Sequence, residues 1–106
     1  MNIRIKERLQ LLDMLKAEGN LISMVIQRDI RKKIEPTQEL IKKVGLVQEG
    51  SNIRWKNEED QPVEITFTRA ELDHLKSCAR DLDRGGKISE ANLDTIQAIL
   101  KEEVGE

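Results

Sequence analysis

Tyrosine is missing from this chain, and Trp55 and Phe67 are its only aromatic residues. A platform for stacking single-stranded bases needs several exposed rings, so that class of nucleic-acid binder is excluded. Whatever core the 106 residues build must be aliphatic, carried by Leu and Ile. Cys78 is the single cysteine and His74 the single histidine. One cysteine makes no intramolecular disulfide and fits a reducing compartment. Together the two fall short of the three or four ligands of a structural zinc site. No apolar run approaches the roughly 18 residues of a membrane span, so no membrane partner is expected. Met1 to Arg8 is charged and lacks the apolar stretch of a signal peptide, which leads to a cytoplasmic protein. Gly85-Gly86 precedes no Lys-Ser/Thr pair in phosphate-loop spacing.

What is present is helical periodicity. Thr68 and Glu71 stand in capping-box spacing ahead of Leu72, Leu75, Ala79 and Leu82, which share one helical face. Ser89 opens a second helix on which Leu93, Ile96, Leu100 and Val104 repeat the stripe, with Gly105 to end it. The segment 68–104 is therefore a helical hairpin, turned by the loop from Asp81 to Lys87.

Residues 1–48 carry three more helices. The first, from about Ile3 to Ala17, aligns Ile5, Leu9, Leu12 and Leu15, broadened by Leu11 and Met14. Asn20 caps a second, with Ile22, Ile26, Ile30 and Ile34 on one side, broken at Glu35-Pro36. Pro36 suits the first position of a short third helix that Gly45 closes. Over 52–68 the period changes to two. Ile53 and Trp55 alternate with polar residues, as do Val63, Ile65 and Phe67, and the charged segment Asn57 to Pro62 reads as the loop of a β-hairpin between them. The expected fold is one mostly helical α+β domain: three N-terminal helices, a β-hairpin, then a C-terminal helical hairpin.

The formal net charge of −2 hides an asymmetry, since ten Lys/Arg face six Asp/Glu in residues 1–48 and eight face fourteen thereafter. Arg28, Arg31, Lys32, Lys33, Lys42 and Lys43 form a candidate basic binding surface for an acidic protein or for DNA. Three helices followed by a hairpin is also the order of a winged helix-turn-helix, with Pro36 to Val44 as reading helix. The acidic run Glu58-Glu59-Asp60 would then sit at the wing tip, where phosphates repel it.

The run Asp81 to Asn92 resembles the calcium loop of the EF-hand family. Asp81 and Asp83 stand at positions 1 and 3, Gly86 at 6 and Ile88 at 8. Gly85 offers no side-chain oxygen at position 5, and Asn92 stands where a bidentate Glu belongs. The expectation is no metal and no cofactor, with Asp81 and Asp83 as weak candidates. Carboxylate pairs lie in loops or at an end, outside any pocket that would displace their pKa values, which leads to a non-enzyme. His74 reads as solvated and Cys78 as a small core or boundary residue.

Glu7 to Leu15, Glu18-Gly19-Asn20, Arg31 to Ile34, Trp55, and Leu82-Asp83 followed by Lys87-Ile88-Ser89-Glu90 are similar to small proteins encoded by phages and prophages. That resemblance implies an accessory protein in the host cytoplasm, acting by contact with another macromolecule. The leading expectation is a protein–protein interaction module, with self-association among its uses. A winged-helix-like DNA-binding regulator is the first alternative, and a degenerate EF-hand-like calcium-binding domain the second.

Overall fold

In the computed structural model, which describes residues 1–103, the chain runs β1 (Asn2–Ile3), α1 (Ile5–Met14), α2 (Leu21–Ile34) and α3 (Gln38–Val44). It continues through β2 (Val47–Glu49), β3 (Asn52–Arg54), a 3₁₀ turn (Asn57–Glu59), β4 (Val63–Glu64), α4 (Arg69–Arg84) and α5 (Glu90–Lys101). The α+β class is as expected. Val104 and Gly105, expected at the end of the last helix, lie outside the described residues.

α4 is the hub, packing against α1, α2 and α5. Its start is the expected capping box: the Glu71 amide donates to Thr68 Oγ1 at 3.2 Å and the Thr68 amide to Glu71 Oε1 at 2.8 Å. Leu72, Leu75, Cys78 and Ala79 are buried along it. They join Ile3, Leu11, Met14, Ile30, Ile34, Phe67, Ile96 and Ile99 in one aliphatic core. Each fully buried Leu or Ile there contributes roughly 1.5–3 kcal/mol.

The strands pair differently from the expected hairpin. β3 pairs with β2, in register Val47↔Arg54 and Glu49↔Asn52, across the two-residue turn Gly50-Ser51. Gly50 has φ 60°, the left-handed conformation that such a turn asks of its first central residue. β4 instead pairs with β1, Ile3 opposite Val63, and the Ile65 amide extends the ladder to the Met1 carbonyl at 2.8 Å. Using Asn2–Ile3 as a strand delays the first helix to Ile5. Segment 57–62 is then a connector. Asp60 is buried, and its Oδ1 accepts from the Ile5 amide at 3.1 Å, satisfying an orphan donor at the start of α1.

Three helix boundaries also move. α1 ends at Met14, short of Ala17, because the amide of Gln27 grips the backbone of Lys16 and holds it out of the helix. Thr37 is the cap of α3, its Oγ1 accepting from the Leu40 amide at 3.1 Å, so Pro36 precedes the cap. α4 runs on to Arg84, making Asp81 to Arg84 helix and not loop. α5 turns Thr95, Ile96 and Ile99 inward, leaving Leu93 and Leu100 at 40% and 38% exposure. Gln10 sets that rotation by accepting from the Thr95 hydroxyl and donating to the Ala91 carbonyl.

The segment from α3 to the 3₁₀ turn stands apart from this body. Among the described residues no Cα of α3 lies within 8 Å of α2, and β2 and β3 have such neighbours only in each other. The radius of gyration of 14.0 Å exceeds the ~13 Å of a fully compact chain of this length, as a projecting ribbon requires.

Candidate functional site

α2 is held on its inner side and open on its outer side. Asn20 caps it, Oδ1 accepting from the Ser23 amide at 2.8 Å, and Gln27, Ile30 and Ile34 face the body at i, i+3, i+7. Ile22 and Ile26 were expected on that buried stripe. Ile26 is half-buried, whereas Ile22 is 74% exposed beside Leu21 at 80% and Val25 at 39%. The first turns of α2 extend past the end of α1, which has stopped at Met14, so no neighbouring helix covers them. Leu21, Ile22 and Ile26 line a shallow apolar hollow, with Asn20 and Ser23 at its edge.

The basic stretch follows on the same helix. Arg28 and Lys32 are exposed, and Arg31 lies 4.0 Å from Glu35. Lys33 leaves the group: its Nζ donates to Glu71 Oε1 at 2.5 Å and to the Thr66 carbonyl at 3.0 Å, 6.0 Å from the centre of the Phe67 ring. Burial works against ionising Glu71, but Lys33 and the Thr68 cap outweigh it and hold the carboxyl below its usual range. Lys42 and Lys43 are exposed on α3, on the separate segment. The arrangement thus brings Arg28, Arg31 and Lys32 together with an apolar patch, and Lys33 with the core. A helix-turn-helix packs its two helices together, and α2 and α3 are not so packed.

A polar seam crosses the inner side of α2. The Lys16 amide donates to Gln27 Oε1 at 2.9 Å, and Gln27 Nε2 donates to the Lys16 carbonyl at 2.6 Å. These two backbone partners fix which end of the amide is oxygen. His74 Nε2 lies 3.1 Å from that same oxygen, so Nε2 carries the proton. His74 is therefore a half-buried, hydrogen-bonded residue and not the solvated one expected. Cys78 Sγ sits 3.8 Å from this protonated nitrogen, which has no lone pair free to accept the thiol proton. Burial and the nearby Lys16 lower the His74 pKa, while burial chiefly raises the Cys78 thiol. Both shifts oppose a thiolate–imidazolium pair, so this geometry does not activate a nucleophile.

Asp81 closes the seam. It accepts from Lys16 Nζ at 2.5 Å and pairs with Arg84. The Lys16 hydrogen bond is the main cause holding its carboxyl below the usual range. Two cations thus occupy the coordinating oxygens of the first expected calcium ligand. Asp83 is exposed in the last turn of α4, whose helical backbone is not that of a calcium loop. Among the described residues no three His, Cys, Asp or Glu side chains converge to hold a metal ion.

No protein family, characterised protein or solved structure matches the chain. The site therefore rests on its own geometry. Among the described residues no helix is long and apolar enough to cross a membrane. Periodicity passed over Gln27, Arg8 and Asp60, each a polar residue that works while buried. Arg8 Nη1 donates to the Ile34 and Lys33 carbonyls at 3.1 and 3.4 Å, covering the end of α2. The one signal for Arg8 was its place among Ile5, Leu11 and Met14 on the buried face.

Proposed function

We propose that this protein is a non-catalytic interaction module that binds another protein through the outer face of α2. The observation that carries the reading is the adjacency of Leu21, Ile22 and Val25 in solvent on the first turns of that helix. Single exposed aliphatic residues are ordinary, but a cluster rimmed by charge is the composition of a docking surface. Arg28, Arg31 and Lys32 supply that rim and favour a partner with acidic residues beside an apolar centre. The inert Cys78–His74 pair favours contact over chemistry. The likeness to small phage-encoded proteins suits an accessory role of this kind.

The test is affinity capture from nuclease-treated lysate with the wild-type chain and with Leu21→Glu/Ile22→Glu. A protein captured by the wild type and lost in the variant supports the reading. Capture that ignores the substitution refutes it. DNA binding is the second reading, favoured by the exposed Lys42 and Lys43 and by a hairpin whose tip is Gly50-Ser51 and not the acidic run. Enrichment of DNA that nuclease abolishes would select it.

A further inference from the structure

We infer that the partner of this face is a second copy of the same chain, docked α2 against α2 in antiparallel fashion about a two-fold axis. The inference rests on the interaction face proposed above and names its occupant. What selects a second copy is the order of chemistry along the face. Glu18, exposed in the loop entering α2, comes first, then Leu21 and Val25, then Arg28. These positions follow the 3, 4, 3 spacing of a helix–helix seam.

A sequence that reads acid, apolar, apolar, base is its own complement when reversed. A two-fold axis at the level of Ser23 sets Leu21 against Val25 of the other copy, with Ile22 flanking. It also sets Glu18 against Arg28 of the other copy, and the contact occurs twice by symmetry. Among the described residues neither Glu18 nor Arg28 has an ion-pair partner within its own chain. Both are free to make this one. A parallel arrangement would place like charges together at each end. The patch is small beside the ~800 Å² per partner of a standard interface, so the association is reversible and concentration-dependent.

Sedimentation equilibrium on the purified chain tests this. The weight-average mass should climb from 12.2 kDa towards twice that value as concentration rises to roughly millimolar, the weak end of specific binding. Leu21→Glu should hold it at the monomer value. Glu18→Arg and Arg28→Glu should each weaken self-association by roughly tenfold or more, since like charges then meet at two places. Mixing those two single variants should restore a dimer containing one of each. In that mixed dimer the arginine introduced at position 18 of one copy meets the glutamate introduced at position 28 of the other, and the second contact keeps the original Glu18 and Arg28. Circular dichroism of every variant checks that folding is intact. A wild type that stays monomeric, a dimer indifferent to Leu21→Glu, or charge variants that fail to recover on mixing would each overturn the inference. A monomeric wild type that still captures another protein in a Leu21- and Ile22-dependent way removes only the second copy and leaves the interaction face standing.

Discussion

Gln27 shows how one buried polar residue sets several others. Its amide spends both ends on the Lys16 backbone and shares its oxygen with His74. Gln27→Leu keeps much of the volume but strands a backbone donor and acceptor, so it should cost about 1–3 kcal/mol in urea unfolding. His74 gives a second expectation at this scale. Its folded pKa lies below the ordinary 6.5 because of burial and then Lys16. Below pH 6.5 the unfolded chain takes up a proton that the folded protein resists, so stability is full above that pH and falls as the pH drops towards the folded value. Glu71 and Asp81, held below their ordinary 4.5 and 3.8, contribute stability that is lost only in stronger acid. His74→Gln keeps a donor for Gln27 but cannot titrate. Melting temperatures across roughly pH 5–7 should therefore slope in the wild type and flatten in the variant.

Among the elements, α4 and α5 carry leucines of the same chemistry in opposite surroundings. Leu75 is fully buried on the hub helix, and Leu93 lies at the edge of α5. Leu75→Ala should cost roughly 2–5 kcal/mol, and Leu93→Ala well under half of that, by chemical denaturation. Equal costs would mean that α5 is rotated from the described position. Periodicity could locate both helices but not settle α5's rotation, because Leu93/Ile96/Leu100 and Thr95/Ile96/Ile99 are both helical stripes. The choice is made by Gln10, eighty-five positions from Thr95. The capping signals of Asn20, Thr68 and Ser89 were legible because a cap depends on residues within one turn. Strand pairing was less so. The alternation of Val63, Ile65 and Phe67 was read correctly as extended, but its partner is the N-terminus, a non-local choice. The Gly50-Ser51 turn was readable and was outweighed by the longer charged segment after Trp55. On the candidate surface, the basic run was visible. The exposure of Leu21 and Ile22 was not, because it follows from α1 ending early.

At the scale of the whole molecule, folding brings the basic N-terminal half and the acidic C-terminal half together. Lys16 meets Asp81 and Lys33 meets Glu71, so part of the charge asymmetry is spent inside the fold. Arg28, Lys32, Lys42 and Lys43 remain exposed, and Arg31 makes only a long contact with Glu35 between two exposed side chains. Reversing Arg31 and Lys32 to Glu should therefore leave stability within about 1 kcal/mol, because exposed ion pairs contribute little. The same double change should sharply weaken whatever the outer face of α2 binds. Salt then identifies the partner through the wild-type chain. A DNA complex loses affinity log-linearly with salt, by close to one power per phosphate contacted. A protein interface centred on Leu21, Ile22 and Val25 responds weakly, since its apolar centre does not depend on counterions. Isothermal titration at three salt concentrations separates the two slopes. Full binding after the double reversal would show that Arg31 and Lys32 are only a solvated face, with the contact confined to the first turns of α2.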